Sequence, residues 1–121
     1  MKSMNVDDAL RKMPKTELHL HLEGAVDVYT FAQLAKKHGV ALPEHNDPAE
    51  LYQYDSLVDF LVMYSAVSHA VRDHGDFQRV TYECLQRCSN SGARYVELFF
   101  SPESPLEIGV DYPTMLAGVL Q

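Results

Sequence analysis

The chain is short of cysteine, of positive charge and of long apolar runs, and each shortage removes a class of protein. Its cysteines are Cys84 and Cys88, which do not form a C-x-x-C pair. Four apart on a predicted helix, they lie on one face and read as small packed hydrophobes. Lys+Arg number 10 against 17 Asp+Glu, a net charge of -7. That field repels phosphates, so nucleic acid is not an expected partner. The longest apolar runs, such as Phe60-Leu-Val-Met63 and Leu98-Phe-Phe100, are too short for a bilayer, so no membrane is expected either. The start, MKSMNVDDALRK, lacks the apolar core of a secretory signal, and the expected location is cytoplasmic. Neither G-x-G-x-x-G nor G-x-x-x-x-G-K-[ST] occurs, so nothing supports a bound nucleotide cofactor. What remains is a 121-residue chain, 46% hydrophobic and 22% charged. It is long enough for one small domain with a core, or for part of something larger.

Hydrophobic spacing predicts strand, helices, strand, helix. A first strand covers about 16–22 and is broken by Gly24. Asp27 caps a helix with Val28, Phe31, Leu34 and Ala35 on one side, and Gly39 stops it. VALPEHNDP is a loop, followed by a short helical turn in AELYQY. Ser56-Leu-Val-Asp59 resembles a capping box. Behind it Leu57, Phe60, Leu61, Tyr64, Val67 and Val71 form one apolar stripe on a helix of about four turns. Asp76 opens the next helix, with Phe77, Val80, Cys84, Leu85 and Cys88 inward and Gly92 at its end. A second strand follows near 94–101, then a loop, ESPLEIGVDYP, and a last helix with Pro113 in its first turn. That helix reaches Gln121 without a stop signal, which predicts a larger whole. Strands joined through helices predict parallel pairing in an α/β fold.

The densest chemistry lies in Pro14-Lys-Thr-Glu-Leu-His-Leu-His-Leu-Glu-Gly24. Strict alternation puts Leu18, Leu20 and Leu22 on one face and Glu17, His19, His21 and Glu23 on the other. Imidazoles two residues apart stand about 6.5–7 Å apart and can lean onto one ion at about 2.0–2.1 Å. H-x-H alone fits a strand with a solvated polar face at least as readily. The flanking acids, the absence of lysine after Lys15 and the glycine after Glu23 shift the reading to an inward, electronegative strand end. Parallel topology adds to this, because such strands are covered on both faces.

These motifs resemble the adenosine deaminase family. PKTELHLHLEGA is similar to its first-strand signature, and the likeness continues through LAKKHGVALP, SLVDFLVMYS and YVELFFSPE. The resemblance implies a metal-dependent (β/α)8 barrel of about 250 residues or more, of which residues 1–121 would be the N-terminal segment of a single domain. It implies one Zn2+ per active site, with His19 and His21 as ligands. Glu23 matches an acidic residue that hydrogen-bonds the sugar, and Leu57, Phe60, Leu61 and Tyr64 match an apolar helix covering a purine nucleoside. The general acid and base and the other metal ligands are expected beyond residue 121. The implied reaction is deamination of a 6-aminopurine, adenosine first and adenine second, in purine metabolism. Glu23, where animal adenosine deaminases commonly carry Asp, and Phe99, where mammalian ones carry Arg, also resemble the adenine deaminase branch. The alternative from another class is a truncated, non-catalytic binding or assembly protein. The other zinc deaminase fold is excluded, since the P-C-x-x-C that it needs beside its H-x-E is missing. Exposed strand edges would favour self-association.

Overall fold

Side chains that accept hydrogen bonds from free backbone N–H groups set where each helix begins. In the computed structural model, which describes residues 5–121, Asn5 caps α1 (Val6–Lys12). Asp27 accepts from Tyr29 N at 3.0 Å and Thr30 N at 3.3 Å to open α2 (Val28–His38), and Gly39 closes it at φ 66°. Ser56 Oγ accepts from Asp59 N at 3.1 Å and starts α3 (Leu57–Ala70). The helix expected from Asp76 starts earlier, as α4 (His74–Asn90). Its cap is Asp73, which accepts from Asp76 N while Asp76 accepts from Asp73 N. Asp111 accepts from Thr114 N and opens α6 (Tyr112–Leu120), with Pro113 in its first turn. Short 3₁₀ turns occupy Glu23–Ala25 and Pro48–Tyr52. The segment read as loop after the second strand contains a further short helix, α5 (Glu103–Glu107), and α1 was not foreseen either.

The strands β1 (Lys15–His21) and β2 (Ala93–Phe99) are adjacent and parallel, as expected, with bounds displaced by one or two residues. Their register corrects the alternation. Glu17 pairs with Val96 and Leu20 with Leu98, so Leu18 and His19 together oppose the single Glu97. This is a β-bulge, and His19 takes φ 63° within it. The extra residue shifts parity: Glu17 turns toward α4, sharing a depression with Leu20, Cys84 and Arg87, and Leu18 is left 56% exposed. Leu20 and Leu22 do face the helices, Leu22 being buried.

The core lies between the sheet and the helices. Phe31, Leu34 and Ala35 of α2, Met63, Val67 and Ala70 of α3, Phe77, Val80 and Cys84 of α4, and Met115 of α6 are buried there. Cys84 and Cys88 are free thiols, and burial pushes the Cys84 thiol up to about 11, in keeping with a packing role. Leu85, expected inward, is exposed. The core face of α3 is also not the expected stripe. It follows Met63, Val67 and Ala70, whereas Leu57 is 71% and Leu61 52% exposed. The helix is apolar on most sides, so periodicity does not single out one face. Among the described residues no helix is long and apolar enough to cross a membrane.

Two glycines fix close approaches. Gly92, at φ 92°, ends α4 where a Cβ would lie 2.5 Å from Arg11 O and 2.8 Å from Met13 O. Lys15 Nζ donates in the same corner to Leu10 O, to Met13 O at 3.1 Å and to Ser91 O at 2.6 Å, fastening α1 and the end of α4 to the start of β1. Gly118 lets α6 rest on α4, because a Cβ there would stand 2.5 Å from His74 O and 2.6 Å from Phe77 Cβ. Gly118→Ala gains about 1 kcal/mol of helix propensity. Forcing two backbones apart costs about 1–3 kcal/mol, so a net loss of stability is expected. Denaturant unfolding measures it, and a variant as stable as wild type would show that α4 and α6 separate at no cost.

Candidate metal and substrate site

The two histidines sit together despite the altered parity. His19 lies in the bulge and His21 beyond it, and their ring centroids are 5.2 Å apart on the open face of the sheet. Phe99 of β2 lies against both, at 5.1 Å from His19 and 5.7 Å from His21. A non-glycine residue at positive φ is uncommon, although histidine tolerates it better than most, and bulges and such strain gather at functional sites. Two neighbouring imidazoles on a paired strand suit a borderline-soft cation such as zinc, which histidine binds in its neutral form.

Glu23 follows at the strand end and is 6% exposed. Its Oε1 accepts from Ser101 N at 2.6 Å and its Oε2 from the Tyr64 hydroxyl at 3.1 Å. The carboxylate thus ties the end of β1 to the segment after β2 and to α3. Burial, and then the nearness of Glu23, hold the Tyr64 phenol above its ordinary value against an opposing hydrogen bond with Ser101, so it remains a proton donor at neutral pH. A row of rings leads to this point, from Phe31 and Tyr52 (6.0 Å) through Tyr54 and Phe60 (5.4 Å, edge-on) to Phe60 and Tyr64 (5.9 Å).

The four α3 residues expected over a ligand therefore divide. Phe60 and Tyr64 are half-buried, and Tyr64 reaches Glu23, whereas Leu57 and Leu61 stand exposed beside Val58 and Val62. Sequence reasoning missed the backbone N–H of Ser101 and the Phe99 contact with the imidazoles. The first had no signal in any side chain, whereas the alternation of Tyr95, Glu97 and Phe99 on β2 could have found the second. One further cluster, His38 with Asp73 and Asp76, has ligand-type atoms within 4.8 Å of one another. Lys37 Nζ already bridges those carboxylates at 2.6 Å to each, so the cationic position is taken.

The sequence profile of the family described as adenosine deaminase matches residues 14–121. The chain belongs to the adenosine deaminase family. Among curated relatives, an adenine deaminase of Vibrio parahaemolyticus is 35% identical over 113 residues, covering 91% of this chain and 33% of the relative. The solved adenine deaminase from Arthrobacter aurescens is 31% identical with a TM-score of 0.76, covering 87% of this chain and 33% of that one. An amidohydrolase from Burkholderia ambifaria with bound Zn is 26% identical with a TM-score of 0.80, covering 98% and 34%. The chain spans about a third of the length of the relatives it matches. The parallel pair β1–β2 and its helices are the N-terminal part of the deaminase family's barrel.

Proposed function

We propose that the complete protein is a metal-dependent aminohydrolase that releases ammonia from a 6-aminopurine. The observation that carries this reading is the pair of imidazoles brought to 5.2 Å at the end of a family-matched barrel strand, beside a buried carboxylate. His19 and His21 would hold zinc together with ligands from the rest of the barrel. Zinc bound there supplies Lewis acidity that brings the pKa of a water to about 7, so hydroxide is available at neutral pH. Phe99 keeps the imidazoles side by side. Phe60 and Tyr64, with Leu57 and Leu61 exposed on the same helix, offer an apolar cover suited to a purine and to excluding bulk water. In this reading residues 1–121 are the first segment of one barrel domain, the enzyme is a cytoplasmic one of purine metabolism, and the free edges of β1 and β2 favour self-association of an isolated segment.

Sequence ranks adenosine before adenine, and a second reading reverses the order. Glu23 is buried with both oxygens engaged by protein donors, which leaves little for a ribose hydroxyl. The relatives described as adenine deaminases support the same reversal. Ammonia release by the zinc-loaded complete protein from adenosine, deoxyadenosine, adenine and AMP, assayed side by side, tests both. Turnover of adenine or adenosine is expected, abolished by a chelator and restored by zinc. No turnover of any of the four would remove the enzymatic reading in favour of a binding or assembly protein.

A further inference from the structure

We infer that Tyr64 is a positioning residue: its hydroxyl holds the Glu23 carboxylate in the buried position and so closes the site to a sugar. The inference rests on the reading of an aminopurine deaminase and names what sets its choice between base and nucleoside. A ribose hydroxyl gains from Glu23 only by donating to an oxygen that is accessible. Oε1 is held at 2.6 Å by a backbone N–H that cannot swing away, so Oε2 is the oxygen available for release. Tyr64 occupies that oxygen at 3.1 Å from a half-buried site on α3. The Tyr64 ring is itself fixed, with Phe60 at 5.9 Å on one side, and Tyr64 Cε2 standing 3.7 Å from where a Cβ on Gly24 would lie. A phenylalanine at this position would keep that packing and lose only the donor.

Without the hydroxyl, Glu23 is a buried anion with one donor fewer, and an unsatisfied charged group turns toward whatever donor it can reach. In Tyr64→Phe that donor is water in the open site or, when a nucleoside binds, a ribose hydroxyl. The hydroxyl is therefore a competitor of the sugar, and its removal changes selectivity rather than the chemistry at the amino group.

The test is the ratio of kcat/KM for adenosine to that for adenine, in the zinc-loaded complete protein and in its Tyr64→Phe variant. Wild type is expected to prefer adenine. The variant is expected to raise the ratio about ten- to a hundredfold, the factor carried by one hydrogen bond to a charged group. A purely structural role for Tyr64 would change both substrates by the same factor and leave the ratio alone, which overturns the inference, as does a wild type that accepts adenosine as well as adenine. A second measurement needs no turnover: in Glu23→Gln, the Tyr64 phenol, followed by NMR of its labelled ring, should titrate lower than in wild type. An unmoved titration overturns the tie between the two residues. Loss of all purine turnover in wild type alongside a shifted titration would reject the deaminase reading and leave the tie standing.

Discussion

Replacing either His19 or His21 by alanine is expected to abolish deamination by the complete protein and to lower its zinc content sharply, with the fold preserved. In the proposed role each imidazole would supply one ligand to an ion whose charge the reaction needs, so the effects should not add. The double substitution should be scarcely worse than either single one. Both side chains are exposed on the open face of the sheet, where replacement away from special features costs within about ±0.5 kcal/mol. His19 is a special feature in one respect, since it sits at φ 63°. His19→Gly should be as inactive as His19→Ala but more stable, because glycine takes that backbone conformation freely. Metal analysis, ammonia release and denaturant unfolding of the four variants and wild type provide the check. Full zinc occupancy with normal rates in His19→Ala and His21→Ala would reduce the motif to a polar strand face.

That the pair was legible in sequence at all depends on where the bulge falls. His19 and His21 keep their neighbourhood because the extra residue enters at Leu18–His19, N-terminal to His21, whereas Glu17, on the far side of it, is turned toward α4. Nothing in ELHLHLEG announces the irregularity, as the residue taking positive φ is a histidine and not a glycine. Helix starts were readable because Asp27 and Ser56 are side chains with a known local bond to make. The facing of α3 was not, since Leu57, Val58, Leu61, Val62, Met63 and Val67 offer several apolar faces and only tertiary packing selects one. Glu23 stands out in sequence as the acid at the strand end, but its burial depends on Tyr64, distant in sequence, and on a backbone N–H after β2, neither of which has a spacing rule.

The second large effect belongs to stability and to Asp76, which is 3% exposed and bears the most crowded carboxylate among the described residues. Its Oδ1 accepts from Lys37 Nζ at 2.6 Å, and its Oδ2 from His38 Nε2 at 2.6 Å, Arg72 N at 3.1 Å and Asp73 N at 3.2 Å. The last turn of α2 is thereby fastened to the start of α4. Burial by itself pushes such a carboxyl up, but these donors outweigh it, Lys37 foremost, and hold Asp76 below the ordinary carboxylate range. Asp76→Asn keeps the shape, loses the charge and sets an amide N–H2 against donors. Lys37 is half-exposed and keeps Asp73, so the cost is that of the buried donors left unmet, about 1–3 kcal/mol, and a fall of that size in the unfolding free energy at pH 7 is expected. The sign of the pH dependence follows from the lowered pKa. Stability contributed by Asp76 is complete above its unfolded value of about 3.9 and is lost as pH falls through the lower folded value. Asp111 is also held low, by Thr114, in wild type and variant alike, whereas Asp73, held low by Lys37, shares that lysine with Asp76 and belongs to the same acid transition. The gap in stability between the two proteins should therefore narrow as pH falls below about 4. Denaturant unfolding across pH 7 to pH 3 measures it. A gap that stays constant with pH would mean that shape and packing at position 76, and not the ionised carboxylate, hold α2 to α4.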